Sequence, residues 1–210
     1  MARLLHVCAS PRGAQSHSLH CARALLTQWQ TSVGDLHIVE RDVSALAHPD
    51  AHFVAASLRA PALRNTTDHA ALALSEQLLE ELDSADVLLI STPMYNFSLP
   101  SGLKAWVDYI VRPQRSFVST PQGKHGLLKD RPVRLLMAAG GPLESGLQQD
   151  FLSPYLCYVL HTIGLTQMEV LQLPNMQREP EKIAASLDQA ADWIARQGAS
   201  LRQILAQAEV

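Results

Sequence analysis

The sequence predicts a doubly wound α/β fold, a parallel sheet with helices on both faces, and three observations carry that prediction. Short apolar runs at 4–8, 87–91 and 133–138 have the length and composition of strands buried on both sides. Segments at 34–40 and 166–173 alternate apolar and polar residues and read as two further strands. Longer stretches with helical spacing lie between them, and strand–helix alternation of this kind implies βαβ units. Five strands and five principal helices fit one unit spanning 1–210, within the usual size of a single domain.

Each element follows in order. The run 4–8 (Leu-Leu-His-Val-Cys) leads through a turn into a helix over 18–31, with Ser16 or Ser18 as an N-cap. The alternating strand 34–40 comes next. Residues 44–67 hold two prolines and no sustained period, so they read as an irregular excursion with a short helix at 51–58. A helix over 68–84 precedes the strand 87–91, and Pro100 opens a helix over 100–112. An accessory loop, 113–128, leads to the strand 133–138. A helix over 147–163, the strand 166–173 and a helix over 179–208 complete the chain, with Gly198 marking a place where the last helix breaks or bends.

Composition narrows the function. Hydrophobic residues make up 47% and charged residues 18%, an ordinary globular balance. A net charge of −3 supplies no basic field for nucleic acid and lacks the strong acidity of many electron carriers. No stretch reaches the roughly 18–20 apolar residues of a membrane span, and the first eight residues are too short an apolar run for a signal peptide. Cys8, Cys21 and Cys157 are scattered among apolar neighbours with no CxxC spacing, which suits core filling and a reduced cytoplasm. His6, His37 and His161 lie in or beside regular elements without a metal-ligand spacing, so no metal is expected.

Doubly wound sheets bind ligands beyond the carboxyl ends of their strands, which directs attention to 9–18, 92–100 and 139–146. The turn after the first strand, Ala9-Ser10-Pro11-Arg12-Gly13-Ala14-Gln15-Ser16-His17-Ser18, has neither GxGxxG nor the P-loop pattern. It does place three hydroxyls and a glycine before a helix N-terminus, where free amides and the helix dipole favour an anion. Two readings stand side by side: a monophosphate cradle, or serines that only cap the helix. Nothing aims Arg12 inward, and His17 reads as a solvent-facing residue of the first turn.

After the third strand, Pro93-Met94-Tyr95-Asn96-Phe97-Ser98-Leu99-Pro100 supplies flat apolar faces in Met94, Tyr95 and Phe97, and polar edge groups in Asn96 and the loop amides. An isoalloxazine ring needs that combination, although a loop packed on the core would also use such residues. The segment PMYNFSLPSGLKAWVDYI resembles the PMYNF segment of the FMN-dependent NADH-azoreductase / NADH:quinone oxidoreductase family. The likeness continues through Ser10, the Ser16-His17-Ser18 turn, Phe117, Gly126-Leu127, Gly140-Gly141 and the stretch from Pro154-Tyr155-Leu156 to Ile163-Gly164.

That resemblance implies a flavodoxin-like, five-stranded parallel sheet of order 2-1-3-4-5 and a homodimer with active sites at the subunit interface. It implies FMN held by Ser10, Ser16, His17, Ser18, Met94, Tyr95, Asn96, Phe97, Gly140 and Gly141, with NADH or NADPH as donor and quinones or azo compounds as acceptors. The chemistry would be carried by the flavin in a ping-pong cycle, two electrons at a time, without a catalytic triad. The chain departs from the family's pattern at Ala138-Ala139, where a polar run is common, and at Ser119 and Thr162, where relatives carry aromatics near the substrate. Those departures predict backbone contacts at 138–139 and a wider, less apolar acceptor pocket. Two competing functions share the fold: a flavodoxin-type electron carrier, and an NAD(P)H:FMN reductase that releases reduced flavin.

Overall fold

The computed structural model describes residues 1–143 and 148–208. Strand β1 (Ala2–Cys8) runs into helix α1 (His17–Val33) through a single 3₁₀ turn, and β2 (Leu36–Asp42) follows. Helices α2 (Ala51–Leu58) and α3 (Thr66–Asp83) lead to β3 (Val87–Pro93) and α4 (Ser101–Ile110). A small hairpin, β4 (Phe117–Thr120) with β5 (Gly123–Gly126), precedes β6 (Val133–Ala138), α5 (Leu152–Thr162), β7 (Met168–Leu173) and α6 (Pro180–Ala208). The principal sheet has five strands in the order β2-β1-β3-β6-β7, every neighbouring pair parallel. That is the 2-1-3-4-5 order of a flavodoxin-like fold, counting only the strands of this sheet.

The apolar runs are continuous because both faces of the central strands are covered. Leu5, Val7, Leu88, Ile90, Leu135 and Met137 face a core built with α2, α3, α4 and α5. Leu4, Val87, Leu89 and Leu136 face a second core with Leu25 and Trp29 of α1 and Ile194 of α6. Successive residues of one strand therefore enter opposite cores, as strand pleating requires. Edge strand β2 is half-buried, which is why its sequence alternates.

Several boundaries differ from the sequence expectation, each for a local reason. β2 starts at Leu36 because Gly34, at φ 76°, ends α1 with its amide on the Gln30 carbonyl. The accessory loop contains the antiparallel hairpin Phe117↔Gly126 to Thr120↔Gly123, whose four-residue strands carry too little apolar pattern to read as strands. Helix α5 begins at Leu152, after Asp150 Oδ1 accepts from the amides of Leu152 and Ser153, and Leu147 lies outside the described residues. Helix α6 runs through Gly198 without a break. A Cβ there would stand 2.1 Å from Gln28 Oε1, so the glycine lets α6 lie close against α1. Trp29 Nε1 donates to the Gln197 carbonyl at 2.9 Å and fixes that contact. Cys8 and Cys21 are buried as expected, whereas Cys157 is exposed on α5, because its side of the helix faces away from the core.

Candidate functional site

A cleft of about 870 Å³ opens at the carboxyl ends of β1, β3, β6 and β7. That volume is within the ~300–1,000 Å³ range of small-molecule sites. Four connecting segments form its walls, and three of them are the segments that the strand-end rule selects.

The first wall is the turn after β1. Ser16 is the N-cap of α1: its Oγ accepts from the Leu19 amide at 3.3 Å, and its carbonyl accepts from the His20 amide at 2.9 Å. The amides of His17 and Ser18 have no partner among the described residues, as the geometry of a helix N-terminus dictates. Ser10 and Ser16 line the cleft, whereas Ser18 is fully buried behind Ser16, with the two hydroxyls 3.2 Å apart. His17, at the first position of α1, is half-buried and lines the cleft instead of facing solvent. Burial first, then the neighbouring Arg12 and His20, holds its imidazole below the ordinary pKa. Arg12, which nothing in the sequence aimed inward, also lines the cleft.

The second wall follows β3. Tyr95 and Ser98 exchange backbone hydrogen bonds, amide to carbonyl in both directions at 3.1 and 3.0 Å, around Asn96 (φ 48°) and Phe97 (φ 68°). Positive φ at both central residues is the type I′ pattern, ordinarily given to Asn-Gly or Gly-Gly. Asparagine tolerates the left-handed region, but a phenylalanine there costs roughly 1–2 kcal/mol. The turn leaves the Asn96 and Phe97 amides without partners among the described residues and leaves Tyr95 and Phe97 39% and 51% exposed. Strain held at a cleft is a mark of function, because evolution would otherwise relieve it with glycine.

The third wall follows β6, and a fourth, which the sequence reading did not select, follows β7. Ala138, Ala139, Gly140 and Gly141 line the cleft together with Met176, Gln177 and Arg178, and Gln148 joins them. The two segments are sewn together: the amides of Asn175, Met176 and Gln177 donate to the carbonyls of Gly141, Ala139 and Gly140 at 2.9–3.0 Å, and the Ala139 amide donates to Leu173 at 2.9 Å. The amides of Gly140 and Gly141 have no partner among the described residues. A Cβ on Gly141 would stand 2.4 Å from Gln148 Oε1, so the backbone itself faces the cleft there. The polar 174–178 turn could have been found by carrying the strand-end rule to the last strand.

Ser119 and Thr162 do not line the cleft. Ser119 is exposed on the hairpin opposite Lys124, and the Thr162 hydroxyl donates to the Val159 carbonyl at 2.7 Å within its own helix.

Five residues whose amides have no partner among the described residues (His17, Asn96, Phe97, Gly140 and Gly141) therefore line one cleft from three loops, with Ser18 directly behind them. Arg12 and Arg178 line it, and no Asp or Glu does so among the described residues. Such a site suits a ligand rich in hydrogen-bond acceptors, negatively charged, with a flat apolar part for Met94, Tyr95 and Phe97.

Known proteins resemble this chain in fold and in sequence. A family model described as a flavodoxin-like fold matches residues 2–197, which defines the class of protein. An azoreductase from Bacillus anthracis superposes with a TM-score of 0.86, over 95% of this chain and 100% of that one, at 23% identity, a likeness of fold. The chain is 43% identical over 197 residues to FMN-dependent NADH:quinone oxidoreductase 2 of Cupriavidus pinatubonensis, covering 92% of this chain and 96% of the relative. It is 41% identical over 200 residues to FMN-dependent NADH:quinone oxidoreductase 4 of Pseudomonas fluorescens, covering 94% and 96%. The chain belongs to the family of FMN-dependent NADH:quinone oxidoreductases.

Proposed function

We propose that the 210 residues form one FMN-binding unit that reduces quinones, and cleaves aromatic azo compounds, with NADH or NADPH as donor. The single observation that carries this reading is that three loops bring unpartnered backbone amides to one cleft, which has no carboxylate in its lining among the described residues. FMN combines the features that such a cleft selects: a dianionic phosphate, a planar ring and an edge of heteroatoms. When bound, it would supply the redox chemistry between a nicotinamide donor and a quinone or azo acceptor, two electrons for a quinone and two such rounds for an azo bond.

The protein's own part is binding and orientation. The amides of His17 and Ser18 and the hydroxyls of Ser10 and Ser16 hold the phosphate at the positive end of α1. Ser18 acts behind Ser16, holding its hydroxyl through the 3.2 Å contact. The amides of Asn96, Phe97, Gly140 and Gly141 address the polar edge of the ring, while Met94, Tyr95 and Phe97 cover its apolar part. Donor and acceptor take turns in the open part of the same cleft, which is the physical content of a ping-pong cycle. The residue-level assignment is supported by amides without partners among the described residues at His17, Asn96, Phe97, Gly140 and Gly141, and no acid–base side chain is required.

A homodimer fits the surface around the cleft. Phe151 and Tyr158 are 56% and 71% exposed, and the Phe151 amide donates to the Phe97 carbonyl at 3.1 Å, so apolar surface continues from the second wall onto α5. A second copy of the chain is the occupant proposed for that surface, and sedimentation of the holoprotein reads it directly. No described helix is long and apolar enough to cross a membrane, and the three free cysteines suit the cytoplasm.

The test starts with the purified protein. It should be yellow, release FMN identified by mass, and oxidise NADH with a quinone in the absence of any protein partner. Turnover that needs a partner would favour the electron carrier, and flavin lost on gel filtration would favour the FMN reductase. A colourless protein that does not take up added FMN refutes the reading.

A further inference from the structure

The 174–178 turn presents a cation that the FMN site does not use. Asn175 adopts φ 64°, and the turn's backbone is fastened to Gly140 and Gly141 by the hydrogen bonds described above, with the Arg178 amide on the Asn175 carbonyl at 3.0 Å. The Arg178 guanidinium therefore hangs from a braced backbone, with Nη2 3.4 Å from the place a Cβ on Gly141 would occupy. It has no carboxylate within 4 Å among the described residues; the adjacent Glu179 pairs with Lys182 at 3.3 Å. Arg12, the other cation of the cleft, belongs to the turn after β1.

Spacing decides which anion Arg178 can reach. Gly141 follows β6, which is separated from β1 by β3. Two strand spacings of ~4.8 Å separate the ends of β1 and β6, so the guanidinium beside Gly141 stands on the opposite wall of the cleft from the turn after β1. A guanidinium that is exposed and has no carboxylate partner among the described residues, beside Gly141, instead borders the space where, on the reading above, donor and acceptor exchange.

We propose that Arg178 anchors an oxyanion of the exchanging ligand: the pyrophosphate of the coenzyme, or a sulfonate or carboxylate on an aromatic acceptor. The proposal rests on the FMN site inferred above. A planar guanidinium recognises either group through paired N–H donors, with partial loss on replacement by lysine, whose ammonium keeps the charge and loses the fork. The turn's bracing to Gly140 and Gly141 means that little conformational freedom is lost on binding.

The experiment compares the wild-type holoprotein with R178Q and R178K. The FMN dissociation constant is measured by flavin fluorescence, and steady-state kinetics are measured with NADH, a sulfonated anthraquinone and a neutral naphthoquinone. In R178Q the KM for NADH, or the KM for the sulfonated quinone relative to the neutral one, should rise at least about tenfold. The corresponding kcat should move less, R178K should recover part of the loss, and the FMN dissociation constant should stay within about twofold. A rise confined to NADH identifies the pyrophosphate, and one confined to the sulfonated quinone identifies the acceptor. Unchanged KM values, or equal effects on both quinones with NADH unaffected, overturn the proposal. So does a tenfold weaker FMN complex with unchanged KM values, which would make Arg178 a cofactor residue. Wild-type protein that binds no FMN would instead bring down the reading on which the proposal stands.

Discussion

His6 offers a quantitative test of the buried architecture through pH. Its side chain is fully buried on the α1 side of β1, where Nε2 lies 2.9 Å from Ser91 Oγ and Nδ1 has no hydrogen-bond partner. Burial, assisted by Arg23, lowers its pKa from 6.5 to about 4. Glu40 Oε2 approaches Nδ1 at 3.9 Å, but that carboxylate is half-exposed and too distant to offset the desolvation, so the imidazole is neutral and no ion pair forms at neutral pH. Between pH 6.5 and 4 the unfolded chain binds a proton at this position that the folded chain refuses. Stability is therefore complete above pH 6.5 and is lost as pH falls towards 4, by about 3 kcal/mol in all. Against a typical total of about 5–15 kcal/mol this is a large fraction. Urea unfolding of wild type and H6Q, at intervals from pH 8 to pH 4, isolates the effect from all other titrating groups. H6Q should be the less stable protein at pH 8, and the gap should close by about 3 kcal/mol at pH 4. A gap that stays constant across that range would refute the reasoning.

Other consequences are as direct. S16A removes the cap that Leu19 uses and a hydroxyl that the proposed phosphate uses; it should lower stability by about 1 kcal/mol and weaken FMN binding by at least about tenfold, read by thermal melting and fluorescence titration. G141V puts a side chain where a Cβ already meets Gln148 at 2.4 Å, so flavin affinity should fall by at least about tenfold in a fluorescence titration, with a stability loss of about 1–3 kcal/mol from the overpacking. G198V should destabilise by about 1–3 kcal/mol through overpacking against Gln28, and the added Q28A substitution should restore part of the loss in a double-mutant cycle read by urea unfolding.

Much of the fold was legible because the strongest signals have simple causes. A strand buried on both faces must be apolar throughout, so β6 was read at its observed bounds and β3 was missed only by its last two residues. The short helix α2 was also read at its bounds, and in the structure Asp50 caps it, accepting from the Phe53 amide. What escaped depends on tertiary closeness. Gly198 reads as a helix breaker in isolation and is a packing residue in fact, because α1 lies against it. The strand-end rule found three walls of the cleft, yet the fourth, at 174–178, is a polar turn whose importance comes from its hydrogen bonds to 139–141. Ser119 and Thr162, selected through family likeness, stand apart from the cleft of one chain.

The α1–α6 contact has a consequence at a distance. Both helices start at the cleft, α1 just after Ser16 and α6 two residues beyond Arg178, and both run away from it along the same side of the sheet. They lock together near their far ends, where Trp29 binds the Gln197 carbonyl at 2.9 Å and Arg202 Nε donates to the Ser32 carbonyl at 2.8 Å. The glycine at 198 and the two hydrogen bonds thus fix how closely the two helices pack at the end of the sheet remote from the cleft. A change at either helix end that loosens this contact therefore acts on the second core while leaving every cleft-lining residue in place.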